Sequence, residues 1–173
     1  GIRDWKYCLV GSEMCIRDSW MVYLLTIMSR SGLEQLSEFC HRFGENTKDT
    51  TFLLEQKELV DAKIHIFARN ASMRNSYIVN HFKDMEIEAL LYMMAIARKN
   101  HVKKAISLYV TTLRHIEPVL TGKDLIDMGY KPGPKFREIL TFLKHAKVDE
   151  RTKTKEDERL LLQQRYPLKH NNQ

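Results

Sequence analysis

From Trp20 onward, apolar residues recur three and four positions apart, the period of an α-helix, and no stretch alternates as a half-buried strand does. Residues 20–30 (WMVYLLTIMSR) are apolar nearly all round, which predicts a helix buried among others. A second helix over about 32–43 places Leu33, Leu36, Phe39, Cys40 and Phe43 on one stripe and stops near Gly44. After the polar break ENTKDT, a third over about 50–69 turns Leu53, Val60, Ile64 and Phe67 inward.

Asn70 to Asn75 breaks the pattern again, and Tyr77, Ile78, His81 and Phe82 mark a short helix. Residues 86–98 predict a strongly apolar helix with Ala89, Leu90, Met93 and Ala97 inside. Residues 101–115 follow the same logic with Val102, Ala105, Ile106, Tyr109 and Leu113, and Pro118 is expected to end that helix. The expected fold class is all-α, a multi-helix array, with no repeat at a period of 20–50 residues.

The last third is punctuated more sharply. Thr121 caps a short helix over 122–128, and Gly129 ends it by taking a left-handed position. Lys131-Pro132-Gly133-Pro134 makes a rigid loop, and Pro134 suits the first position of a helix over about 134–147 that buries Phe136, Ile139, Leu140, Leu143 and Ala146. Thr154 and Asp157 have the spacing of a capping box for a helix over about 155–165.

Residues 1–19 have no coherent period, and the stretch CLVGSEMCIRDS resembles translated sequencing-adapter sequence, so this segment is expected to be non-native. The expected organisation is then a helical body over 20–118, a helical tail over 119–167 and a disordered terminus over 168–173. The longest apolar run, Trp20 to Met28, is far short of the roughly twenty residues of a membrane span, so no membrane partner is expected. Asp4, Glu13 and Asp18 break up anything like a signal peptide, and the odd set Cys8, Cys15 and Cys40, without a Cys-x-x-Cys pair, fits a reducing compartment. Cytoplasmic localisation is the expectation.

Formal charge is +6, and the cationic excess sits mainly in the last third, which permits an acidic partner without requiring one. Catalytic groups are conspicuous by absence. Nucleotidyl transfer needs clustered carboxylates to hold metal ions, and the chain has no Asp-x-Asp. Glu86-x-Glu88 and Glu156-x-Glu158 fall on predicted helices, where positions i and i+2 diverge by about 200°, and are expected to be solvated. The seven histidines show no metal-ligand spacing, and His81 on its apolar face is expected to be a packed histidine.

The positive candidate is the loop at 129–135 with the helix behind it. A helix start exposes backbone N–H groups and the positive end of the helix dipole, a setting that suits phosphate. Lys131, Gly133 and Lys135 form the loop side of a candidate RNA-binding track, and Arg137, Thr141 and Lys144 fall within about 60° of one another on the helix. Lys153 and Lys155 extend the strip, offset by Glu156, Asp157 and Glu158, and aromatic residues that could stack are nearly absent among them apart from Tyr130. That scarcity favours backbone contact with a duplex over base stacking. Spacing alone leaves open the plainer reading, in which the Gly and Pro residues turn the chain and the cations solvate a surface.

Leu120-Thr-Gly-Lys-Asp-Leu125, Met128-Gly-Tyr-Lys-Pro-Gly-Pro-Lys135 and Glu138-Ile-Leu140 resemble the carboxy-terminal signature of bacterial tRNA nucleotidyltransferases of the CCA-adding or A-adding kind. The resemblance extends to Glu88–Ala95, Ile106–Tyr109, Ala146–Asp149 and Thr154–Glu158, and the wording is nearest the A-adding enzymes. It implies a tRNA-binding body and tail without the catalytic head, with tRNA held at its acceptor and elbow region. Head and neck domains of the same protein, with Mg2+ and ATP or CTP at the head, are then the remaining partners; no cofactor is expected in this chain itself. Enzymatic status stays open, because the parent is an enzyme and this chain lacks its carboxylates. Apart from the resemblance, the apolar helices also fit a scaffold or adaptor that binds another protein.

Overall fold

The computed structural model describes residues 19–44 and 47–167. The segment expected to be non-native, apart from Ser19, and the terminus 168–173 lie outside the described residues. Among the described residues the chain is all-α: α1 (Ser19–Ile27), α2 (Leu33–Arg42), α3 (Thr47–Arg69), α4 (Asn75–Phe82), α5 (Ile87–Ile96), α6 (Asn100–Thr111), α7 (Gly122–Asp127), α8 (Pro134–Val148) and α9 (Lys155–Arg165), with single 3-10 turns at Met28–Arg30 and Leu113–His115. None of these helices is long and apolar enough to cross a membrane.

The described residues divide into two compact units, each discontinuous in sequence: those up to Ala71 with Asp84–Ile106, and Ser72–Lys83 with those from Ser107 on. In the first, α5 packs against α1 and α3, and α2 lies on α3. The inner stripe expected for α5, Ala89, Leu90, Met93 and Ala97, is buried throughout. Thr50, Leu53, Lys57, Val60 and Phe67 form the buried stripe of α3, with successive members three, four or seven residues apart; Ile64 is half-buried.

A lysine within that stripe is admissible because its head group is satisfied. Lys57 Nζ donates to Asp61 Oδ2 at 3.0 Å, to the Ser29 carbonyl at 3.3 Å and to the Tyr92 hydroxyl at 3.4 Å, and it lies 5.9 Å from the centre of the Tyr92 ring. Burial pushes the Lys57 amine down, but its hydrogen bond to Asp61, the Asp61 charge and the Tyr92 phenol outweigh burial and leave it above its usual value.

Two readings of the amino-terminal helices need correction. From Trp20 to Ile27 of α1, only Leu25 is buried, while Tyr23 and Ile27 are 68% and 79% exposed, so this helix is covered on one side rather than all round. A run that is apolar on every face carries no polar side to orient it, and Tyr23 lies about 200° from Leu25 around the helix. In α2, Leu36 and Cys40 are buried, but Leu33 and Phe43 are exposed; Phe43 instead stacks on Phe39 with ring centres 4.3 Å apart.

In the second unit, α4 packs on α8 and on the 3-10 turn at Leu113–His115, and α8 packs on α9. Leu120, Leu125, Ile139, Leu143 and Leu162 form its core, with Met128, Phe136, Leu140, Phe142 and Tyr166 against them. The α4 start is tied to the α8 end: Asp149 accepts from the Ser76 backbone N–H at 2.8 Å and the Ser76 hydroxyl at 2.6 Å, while Asn75 Nδ2 donates to the Val148 carbonyl at 2.8 Å. A carboxylate at a helix start satisfies N–H groups that have no partner within the helix. Helix α6 ends at Thr111, before Pro118, because Thr112 leaves helical backbone geometry and the chain tightens into the 3-10 turn. Leu113 is nonetheless buried as its spacing predicts.

Candidate nucleic-acid interface

The candidate interface is built on α7, the loop after it and α8. Thr121 and Asp124 close a capping box at the α7 start: the Asp124 N–H reaches the Thr121 hydroxyl at 3.3 Å, and the Thr121 N–H reaches Asp124 Oδ2 at 2.8 Å. At the other end Gly129 takes φ 94°, with its N–H on the Ile126 carbonyl at 2.8 Å and the Tyr130 N–H on the Leu125 carbonyl at 3.0 Å. That pair of bonds is a Schellman motif, and the chain leaves α7 in a fixed direction. Gly122 has a packing reason, since a Cβ there would meet Cε1 of Phe136 at 3.2 Å, so α7 and α8 approach closely at this point.

Pro134 occupies the first turn of α8 and Gly133 precedes it in extended geometry, so no side chain caps the helix and no acidic residue sits in its first turn. The dipole end therefore faces solvent without a neutralising carboxylate from its own turn. Lys131, Gly133, Lys135, Arg137 and Thr141 are all exposed. Arg137 and Thr141 lie one turn apart on the side of α8 away from Ile139, Leu143 and Ala146, which are buried. Lys144 lies on the Arg137 side but is half-buried and bonded to Glu117 Oε1 at 2.6 Å. That partner is 27 residues away, and no local signal in the sequence announces it.

The neighbouring charges sort differently from their spacing. Lys155 bonds Asp124 Oδ1, so one of the two cations expected to extend the strip is neutralised by the capping residue of α7. Lys155, together with the Thr121 backbone N–H and hydroxyl, holds the Asp124 carboxyl well below the usual carboxylate range. Tyr130 is held as well, its hydroxyl donating to the Tyr166 carbonyl at 2.7 Å, while Tyr166 donates to Glu138 at 2.8 Å and meets Phe142 edge to face.

Glu158 is the clearest departure from expectation. It is fully buried, not solvated, and its two carboxylate oxygens accept the backbone N–H groups of Val119 at 3.0 Å and Leu120 at 2.7 Å. Glu156 does stay at the surface, paired with Arg159. His81 is packed as expected, half-buried with Nδ1 at 2.9 Å from the Tyr77 carbonyl. Among the described residues, no group of three or more His, Cys, Asp or Glu side chains could hold a metal ion.

Fold and surface thus define an all-helical chain whose second unit carries a helix–loop–helix with exposed cations at the start of a long helix. Over 145 residues, 82% of the chain, it is 31% identical to the A-adding tRNA nucleotidyltransferase of Geobacter sulfurreducens. A second A-adding tRNA nucleotidyltransferase, from Halalkalibacterium halodurans, is 36% identical over 53 residues, or 31% of the chain. The chain is therefore a relative of the tRNA nucleotidyltransferases. The aligned parts span 16% and 12% of those two relatives. No family profile and no solved structure matches the chain.

Proposed function

We propose that this chain is the carboxy-terminal body and tail region of a tRNA nucleotidyltransferase, of the A-adding kind rather than the CCA-adding one, acting in the cytoplasm, and that it binds tRNA while a head and neck elsewhere in the protein carry out nucleotide addition. The observation that carries the reading is the uncapped, acid-free start of α8 flanked by exposed Lys131, Lys135 and Arg137, in a chain related to enzymes named for tRNA. Gly133 lets an RNA phosphate approach the backbone, Lys131 and Lys135 supply charge beside it, and Arg137, Thr141 and Lys144 follow the strand along α8. Contact is with the acceptor and elbow duplex through phosphates and 2′-hydroxyls, because the Tyr130 ring, the aromatic in the loop, packs against the core of the second unit and is tied there by its hydroxyl on the Tyr166 carbonyl. Mg2+ and ATP or CTP belong to the head, and the residues described here take no part in holding them.

The test is titration of the chain with an acceptor-stem RNA hairpin at several salt concentrations. Binding that weakens steeply with salt, and is lost in R137E/K144E without loss of helicity, supports the reading. Absence of binding at low salt, or binding indifferent to salt, overturns it. A second reading, a helical adaptor for another protein, is favoured by exposed Tyr23, Ile27 and Phe43. It predicts self-association or a protein partner that survives the same charge reversal.

A further inference from the structure

The cations of the proposed RNA track are not equally available. Lys131, Lys135 and Arg137 are exposed and make no ion pair among the described residues. Lys144, on the same side of α8 as Arg137, is already occupied: Glu117, from the segment leading into Pro118, bonds it at 2.6 Å. The pair is lopsided. The Lys144 side chain is 26% exposed, whereas that of Glu117 is 68% exposed.

An acid so exposed is well solvated when released, so exchanging it for another anion strands no buried charge. Exposed ion pairs also contribute little to stability. Lys144 is thus fixed in position yet only loosely neutralised.

Resting on the RNA-binding reading above, we propose that Glu117 is an internal counter-ion, which an RNA phosphate must displace to reach Lys144, and which thereby lowers both the affinity and the salt dependence of the site. The mechanism is an exchange. When phosphate takes Lys144 it gives up a condensed cation, but the freed Glu117 recruits one, so this contact releases no net counter-ion. Contacts from unpaired Lys131, Lys135 and Arg137 do release them, and those alone set the salt slope of the wild type.

The experiment compares the full chain with E117Q, K144Q and E117Q/K144Q, using an acceptor-stem RNA hairpin as the probe and fluorescence anisotropy over a potassium chloride series. Removing Glu117 is expected to tighten binding by about three- to tenfold at low salt and to steepen the log–log salt slope by about one, because Lys144 becomes a net counter-ion-releasing contact. The gain should vanish in E117Q/K144Q, which should bind like K144Q. An equal gain on the K144Q background means that Glu117 acts only through overall charge and overturns the proposal, as does unchanged affinity of E117Q. A wild-type chain that fails to bind RNA at low salt overturns the RNA-binding reading itself, an outcome distinct from either. Circular dichroism of all four proteins separates these effects from unfolding.

Discussion

The Glu158 carboxylate accepts the backbone N–H of Leu120 at 2.7 Å from a fully buried position 38 residues further along the chain. With the Val119 N–H at 3.0 Å on its other oxygen, it satisfies two donors where the chain enters α7, at the edge of a core that includes Leu120 and Leu162. Charge-assisted bonds of this kind contribute roughly 1.5–3 kcal/mol, and an unsatisfied buried N–H costs about 1–3 kcal/mol. Glu158→Ala is therefore expected to destabilise the chain by about 2–4 kcal/mol and Glu158→Gln by less, since one carbonyl oxygen still accepts. Urea unfolding curves measure both; a Glu158→Ala midpoint equal to wild type would mean that water replaces the carboxylate.

Glu158 also marks where the sequence stops being informative. Capping by Thr121 with Asp124 and Thr154 with Asp157, the turn at Gly129 and the start at Pro134 are all legible, because each depends on residues within a few positions. The core stripe of α8 is legible too, since a polar face orients it, whereas α5 is apolar on nearly every face and buries Leu91 and Tyr92 beyond its expected stripe. Glu158, Lys57 and Lys144 depend on Leu120, Tyr92 and Glu117, which lie 38, 35 and 27 residues away. A charged residue on a helix is read as solvated unless such a partner is known. The exposed side of α1 was hidden for the opposite reason, its uniform apolarity. Of the candidate interface, the loop and its cations are visible in the sequence, whereas which cations are already paired is not.

Two Schellman turns predict opposite mutational signs. Gly129 ends α7 at φ 94°, and Glu150 ends α8 at φ 57° with the same bonding: its N–H on the Lys147 carbonyl at 3.0 Å and the Arg151 N–H on the Ala146 carbonyl at 2.9 Å. A side chain in left-handed geometry costs roughly 1–2 kcal/mol, which glycine avoids. Glu150→Gly is expected to raise stability by about 0.5–1 kcal/mol and Gly129→Ala to lower it by about 1 kcal/mol or more. Thermal melts decide the matter, and a lowered melting temperature for Glu150→Gly would mean that the glutamate side chain contributes more than its backbone costs.

Lys57 contributes through its stem as well as its charge. Its partner Asp61 is 48% exposed, so removing the ammonium leaves a carboxylate that water can solvate, while the Tyr92 hydroxyl and the Ser29 carbonyl each lose a partner. Lys57→Met keeps the packing and is expected to cost at most about 1–2 kcal/mol, whereas Lys57→Ala opens a cavity in the α3 stripe and should cost about 2–4 kcal/mol. Equal losses in the two variants, read from denaturant unfolding, would assign the contribution to charge alone. Because the folded Lys57 amine lies above its ordinary value of 10.5, its contribution is complete below that pH and disappears as the pH rises through the folded value. The alkaline limb should therefore be flatter in Lys57→Met.

The acid limb should be governed by the two capping aspartates of the second unit. Asp124 is lowered by its bond to Lys155 and by the Thr121 N–H and hydroxyl; Asp157 is lowered by the backbone N–H groups of Thr154 and Lys153 and by the Thr154 hydroxyl. Each carboxyl binds its proton less readily folded than unfolded, so each stabilises the fold fully above the ordinary value of 3.8. That contribution is lost progressively as the pH falls below 3.8 toward the folded values, where the unfolded chain takes up protons first. The D124N/D157N variant is expected to be less stable than wild type at neutral pH yet to lose less on acidification, so the two stability curves converge. Denaturation midpoints measured across the acid range test this, and parallel curves would show that other carboxyls carry the acid sensitivity.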